Sequence, residues 1–329
     1  MERYIAIDNV CAWPNLTLLP DGTLVAIIYN QPTHGTWEGD VECWASSDGG
    51  YLWTKRGVVA PHEPATGRFN HAAGLAHDGA LVALVGGCGP VPPVGQRRDP
   101  NVPTAFLPTW VCRSTDGGHT WSRAETFTLP PNTPEVIPFG DIERGPNGVL
   151  SCTGYAWHGG KANHVYLLRS YDDGHTWPET ILIGANDYNE TDILRLDANR
   201  WLAAARTLHD GHLELFASTD GGASWAQRGS VTLPRQHPGH LLRLADGRIL
   251  LTYGIRNRGL YGIGARISPD EGQTWGAPLV LVDLEIATDG GYPASAQLAD
   301  GTLVTVYYAN RVPTHQRYHM GVVRWQADV

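Results

Sequence analysis

A glutamate and a tyrosine, Glu190 and Tyr292, stand at matching places in a chain built from repeated hairpins. Six hairpin turns fall at Asp21, Asp78, Asn147, Ala198, Asp246 and Asp300, and counting eight residues back from each gives Trp13, Asn70, Phe139, Glu190, Pro238 and Tyr292. A tyrosine hydroxyl, with a pKa of about 10, does little chemistry at neutral pH unless a base stands beside it. Taken singly, Glu190 reads as a solvated rim charge and Tyr292 as a packing aromatic; their shared position makes them a pair. The 14 histidines offer a second chemistry. His34, His71, His158, His237 and His240 fall at the same end of the hairpins. Most read as rim residues, but a His/Tyr or His/Arg pair could run a β-elimination from a uronate. His237 and His240 have a His-x-x-His spacing, which without a third ligand or a helix is weak evidence for zinc. No metal site and no cofactor is implied.

Two interleaved repeats must position these side chains. The first is Ser-x-Asp-x-Gly-x-x-Trp, in five copies beginning at Ser46, Ser114, Ser170, Ser218 and Ser268. Its aspartate can accept backbone N–H groups across a tight turn, its glycine takes positive φ, and its tryptophan folds back as an apolar plug. The second is an apolar strand, a two-residue turn of Asp-Gly or Asn-Gly type and another apolar strand, as in LTLLPDGTLVAI and LRLADGRILLTY. Such turns between apolar runs are the strongest short hairpin signals. Six units of roughly 55 residues, each with four antiparallel strands and no helical periodicity, predict an all-β chain: a single six-bladed β-propeller over residues 1–329. The last unit has no box, so the N-terminal residues are expected to supply its outer strand. The boxes then lie at one end of the channel and the ring of Glu190 and Tyr292 at the other, which makes the box aspartates structural.

Composition narrows the function. A net charge of −9 without any Lys/Arg-rich run argues against nucleic acid as a partner. No stretch approaches 18 apolar residues, so no membrane span is expected. The start, MERYIAIDNV, has no basic region followed by an apolar one, so the expectation is a cytoplasmic chain, or a secreted or periplasmic one whose signal has been removed. The five cysteines are scattered, without a CxxC, and read as small core residues. Nothing in the sequence specifies an oligomeric state.

The boxes carry a resemblance. Five Ser-x-Asp-x-Gly-x-x-Trp copies resemble the Asp boxes of the sialidase (neuraminidase) superfamily, whose six-bladed propellers hold them, and the resemblance covers the whole chain. It implies a glycoside hydrolase that releases a terminal sugar. GGYPASAQLADGTL looks like the sialidase segment of the tyrosine nucleophile, which places that role at Tyr292. YNETDILRL followed by WLAAAR looks like the segment of its partner glutamate and of a substrate-binding arginine, hence Glu190 and Arg206. Sialidases clamp the substrate carboxylate with three arginines. GIRNRGLYGIGARIS should hold another, at Arg256 or Arg258, with Arg258 favoured.

The chain also departs from that pattern. The Arg-Ile-Pro that opens the first sialidase blade is here Ala12-Trp13-Pro14, and the glutamate that steadies its arginine is replaced by Tyr308. Arg68 could supply a replacement cation, with Trp13, Asn70 and His237 as further binding residues. The resemblance puts the proton donor in the loop NQPTHGTWEGDVECWAS, where Glu38 and His34 lie nearest the mouth and Asp40 is the next candidate. The expected partner is therefore a carbohydrate ending in an acidic sugar, sialic or uronic. A uronate lyase and a non-catalytic carbohydrate- or protein-binding propeller are the alternatives.

Overall fold

The computed structural model describes residues 1–129, 135–158 and 162–327, with the side chains of residues 158 and 162 outside the description. Every regular element among them is a β-strand. The first hairpin shows how a unit is built. Cys11–Leu18 pairs antiparallel with Leu24–Tyr29, that strand with Val41–Ser46, and that one in turn with Thr54–Ala60. The second strand is buried at every residue, because it is covered on both faces. Five further units repeat this order, with innermost strands Gly67–Leu75, Ile137–Arg144, Tyr188–Arg195, Gln236–Arg243 and Gly290–Gln297. As expected, the last unit takes its outer strand from the N terminus: Glu2–Asp8 pairs antiparallel with His319–Trp325.

The sheets number five, not six. The innermost strands of the second and third units pair in parallel, Gly140 opposite Ala72 and Ile142 opposite Gly74, and so merge two units into one nine-stranded sheet. A Cβ at Gly74 would lie 2.6 Å from the Ile142 carbonyl oxygen, so glycine permits this close approach.

Six apolar clusters each join one unit to the next. Val25, Ile27 and Val41 of the first unit pack with Leu81, Ala83 and Val85 of the second. At the other extreme of the chain, Ala294, Val304 and Val322 of the last unit pack with Leu16, Leu24 and Ile28 of the first. The box turns sit beside these clusters. In the first, the Ser46 hydroxyl donates to Asp48 at 2.7 Å and accepts from the Gly50 N–H, while Asp48 accepts from the N–H groups of Tyr51 and Leu52. The same serine bridge recurs at Asp116, Asp172, Asp220 and Asp270. Those carboxylates are consumed by their own turns, and none lines the cleft described below.

At the centre, polar side chains tie the innermost strands together. The buried Asp192 of the fourth unit accepts from the Leu241 N–H of the fifth at 2.7 Å and from the Asp141 N–H of the third at 3.1 Å. His240 bonds Asp141 at 3.1 Å, and Asn15 of the first unit donates to Asp141 at 2.7 Å. Burial works against a charge on His240, but Asp141, its hydrogen bond and Asp192 prevail and raise the ring to about 9. The folded state therefore holds a proton that the unfolded chain releases near an ordinary histidine pKa of about 6.5. The stability this contributes is whole below that pH and is lost as pH rises through about 9. His240→Ala is expected to cost about 3–5 kcal/mol at pH 6, the scale of leaving a buried charge unpaired. The loss should shrink at pH 10. Urea unfolding of both proteins at the two pH values measures it, and an equal loss at both would show that the ring acts by packing alone.

Candidate active site

Each innermost strand slips register at the position that the repeat phasing singles out or, for Phe139, just after it. The irregularities fall between Cys11 and Asn15, Arg68 and His71, Phe139 and Glu143, Tyr188 and Thr191, Gln236 and Gly239, and Gly291 and Ala294. A bulge bends a strand and re-aims the side chain at it. At Tyr292 the backbone reaches φ 51°, in the left-handed region, where a residue with a side chain is strained by about 1–3 kcal/mol. Asn70 has φ 45° at the equivalent place.

The bulges bring Glu190 and Tyr292 together across the centre. The tyrosine hydroxyl donates to Glu190 Oε1 at 2.5 Å. Arg206 Nη1 donates to Glu190 Oε2 and, at 3.3 Å, to the tyrosine oxygen. Both Glu190 and Tyr292 are only 7% exposed, deeper than the rim position expected of them. Burial raises the Tyr292 phenol well above its ordinary value, and the Glu190 charge raises it further, against the pull of Arg206 and Arg256. The phenol is thus protonated at rest, and its proton lies on the line to Glu190.

An open cleft of about 730 Å³ lies over this pair, lined by Tyr292, His34, His237 and three guanidinium groups, Arg206, Arg235 and Arg256. That volume falls in the range of small-molecule sites. Arg256 donates to the His237 carbonyl at 2.5 Å and to its ring Nδ1 at 3.2 Å, and its guanidinium carbon stands 5.6 Å from the Tyr292 ring centre. Gly291 makes room for it: with φ 125°, a Cβ there would meet Arg256 Nη2 at 3.3 Å. Burial, then Arg206, Arg256 and Arg235, depress His237 to about 2, so its ring is neutral and accepts from Arg256.

Trp13 packs on the Tyr292 ring at 5.8 Å and on the His34 ring at 5.5 Å. His34 Nε2 meets Asp289 at 2.6 Å and the Tyr308 hydroxyl at 3.1 Å. The hydroxyls of Tyr308 and Tyr318 both donate to Asp289, at 3.0 and 2.7 Å. Burial opposes a charge on Asp289, yet the His34 bond and charge with the two tyrosines hold it down to about 2. Where the family pattern has an Arg–Glu pair, this chain has an aromatic wall around a His–Asp pair. Cys11 lies against the same two side chains.

Several expected site residues stand elsewhere. Arg68 is 2% exposed, bonds Glu63 at 2.8 Å and the Pro108 carbonyl, and stacks on Trp110, so it is no replacement cation. Arg258 is exposed beside Tyr261 and Glu285 in a neighbouring hollow, away from Tyr292. Glu38 accepts the Ala65 N–H at 2.5 Å and Asp40 bonds the His62 ring at 2.6 Å; neither lines the cleft. Nor does Asn70. His71 and His240 lie beneath, around a cavity of about 30 Å³ under Tyr292 and Trp13. The His158 side chain lies outside the described residues. The residues missed are Asp289, three places before Tyr292, and Arg235, just ahead of an innermost strand. Reading each innermost strand backward from its ring position toward the mouth would have found both.

Comparison with known proteins speaks to the family and the fold. The model of the BNR repeat-like domain matches residues 40–305. The chain belongs to the BNR repeat-like family, within the sialidase superfamily. A sialidase of Micromonospora viridifaciens is 27% identical over 93% of this chain, which spans about half (52%) of that relative. Among solved structures, a Dyadobacter fermentans protein of unknown function is 24% identical with a TM-score of 0.82, covering 98% of this chain and 97% of its own. The Hadza microbial sialidase Hz136 is 17% identical with a TM-score of 0.75, covering 95% of this chain and 65% of its own. A mutant of the NanB sialidase of Streptococcus pneumoniae is 12% identical with a TM-score of 0.74, covering 98% and 70%. At these identities the structural likeness speaks for the sialidase-like fold. No helix among the described residues is long and apolar enough to cross a membrane.

Proposed function

We propose that this BNR-family chain is an exo-acting glycoside hydrolase that removes a terminal acidic sugar, sialic or uronic, and that its six units close radially into a single six-bladed propeller. The apolar cluster joining the last unit to the first supports the closure. The activity rests on one observation: Tyr292 donates to Glu190 at 2.5 Å in a cleft lined by three arginines. In the reaction, the Tyr292 oxygen attacks the anomeric carbon as its proton passes to Glu190. The bond to the leaving oxygen breaks, and His34, backed by Asp289, supplies that oxygen's proton. Water then attacks the anomeric carbon, giving its proton to the now neutral His34, as the tyrosyl–sugar bond breaks and Glu190 returns its proton to the phenol. Arg206, Arg235 and Arg256 hold the sugar carboxylate, since guanidinium groups pair with carboxylates in two-point fashion.

The test is a panel of sialosides, uronides, rhamnosides and arabinosides, followed both for released reducing sugar and for the ultraviolet absorbance of unsaturated product. Reducing sugar without absorbance, confined to acidic substrates, is the expected result. Unsaturated product would make the chain a lyase; binding without turnover would make it a carbohydrate-binding module.

The arginines can be tested separately. Arg256→Ala is expected to weaken an acidic ligand by roughly one to two decades, the equivalent of a charge-assisted bond of about 1.5–3 kcal/mol. Arg258→Ala should leave affinity unchanged. Titration calorimetry with a ligand found in the panel decides between them, and the reverse ranking would move the carboxylate site to the neighbouring hollow.

A further inference from the structure

At the wall of the same cleft, the turn after Trp201–Thr207 reads Leu208-His209-Asp210-Gly211-His212. Both histidines converge on one carboxylate oxygen. His212 Nδ1 lies 2.6 Å and His209 Nε2 3.5 Å from Asp210 Oδ1. The other nitrogen of each ring is held by a second carboxylate: His209 Nδ1 by Asp187, and His212 Nε2 by Glu214 at 3.2 Å. That is the outer arrangement by which metal-binding imidazoles are oriented and made more basic. Glu214 is 5% exposed, and its Oε1 has no hydrogen-bond partner. No lysine or arginine among the described residues forms an ion pair with Asp187, Asp210 or Glu214. Asp187 accepts the Leu208 and His209 N–H groups, and Asp210 the Thr207 hydroxyl and the His212 N–H, so the turn itself holds both carboxylates against the rings.

We propose that His209 Nε2, Asp210 Oδ1 and His212 Nδ1 form a site for one divalent transition metal of the zinc class, with Asp187 and Glu214 as its outer partners. The three ligand atoms lie within 4.8 Å of one another. Ligand bonds of about 2.0–2.1 Å in a tetrahedral site set ligand atoms roughly 3.3 Å apart. The His209 spacing already meets this, and the Asp210–His212 spacing must open by about 0.7 Å, exchanging a hydrogen bond for two metal–ligand bonds. Two imidazoles and a carboxylate on a turn suit zinc better than calcium or magnesium, which take oxygen ligands. His209 and Asp210 also line the cleft, so the fourth ligand is water or an oxygen of the molecule bound there. The site stands independently of the Tyr292–Glu190 chemistry.

The test is zinc titration by calorimetry after dialysis against a chelator, with cobalt substitution read by visible absorption. One zinc per chain and the intense bands of low-symmetry cobalt are expected. His209→Ala, at an exposed side chain that should not disturb folding, and Asp187→Asn should each weaken zinc at least about tenfold, the lower end for loss of an outer partner. The His209→Ala/His212→Ala double variant should bind none, with circular dichroism confirming its fold. Cys11, His34 and Asp289 form a second cluster with ligand atoms within 4.8 Å. If zinc is lost with His34→Ala and kept by the double variant, or if the wild type binds no more zinc than the double variant, the proposal fails.

Discussion

Tyr292→Phe is expected to cut turnover of the panel's best substrate by at least about a hundredfold, the scale of losing one acid–base function, with substrate affinity little changed. The substitution removes one oxygen and keeps the ring against Trp13, Phe139 and Tyr308. Glu190→Gln should cost as much, because the amide cannot take the phenolic proton. The two differ in stability. Phenylalanine leaves the Glu190–Arg206 pair intact, whereas glutamine leaves the largely buried Arg206 facing a neutral group, at about 1–3 kcal/mol. The double variant should lose little more activity than the worse single one, because groups that act as a unit are not additive. Steady-state kinetics of the three variants measure this. Full activity in Tyr292→Phe would remove the nucleophile from the scheme and leave His34, since His237 is held neutral and engaged by Arg256.

The sequence makes Glu190 and Tyr292 legible because both sit at one fixed phase of a repeated hairpin. That phase is also where the strand bulges, so a count along the chain finds a point in space. The same count has no hold where the repeat stops. Arg256 and Arg258 are two apart, and strand alternation assigns both to one face. What separates them is the end of the strand: Asn257 pairs with Leu260, which puts Arg258 and Gly259 in the turn. Glu38 fails for a related reason, because the long loop between Leu24–Tyr29 and Val41–Ser46 folds against the Ala65 backbone with no repeat to predict it. Arg68 shares its strand with the ring position Asn70, but its stacking on Trp110 depends on a strand that lies beyond the next hairpin, which no local pattern announces. The merged sheet was invisible for the same reason, since parallel pairing between units leaves no periodic mark.

His34→Asn is the substitution expected to split substrates by leaving group. A sugar or alkyl leaving group must be protonated as its bond breaks, so loss of the donor should cost about a hundredfold or more. An aryl leaving group that departs as a stable anion needs no such help, and its rate should fall less than about tenfold. In the proposed scheme the Asp289 carboxylate acts through His34 as a positioning residue, meeting its Nε2 at 2.6 Å. Asp289→Asn removes the carboxylate that orients the ring, so it should carry the same split as His34→Asn, slowing the alkyl glycoside more than the aryl one. A purely structural role for Asp289 would lower both rates alike. Tyr308 and Tyr318 remain to hold the asparagine in place, which keeps the two outcomes distinct. Rates on one alkyl and one aryl glycoside, measured for the wild type and the two variants, separate them. An equal loss on both substrates in His34→Asn would mean that the proton comes from another group, and Glu38, fixed to the Ala65 N–H outside the cleft, could not be it.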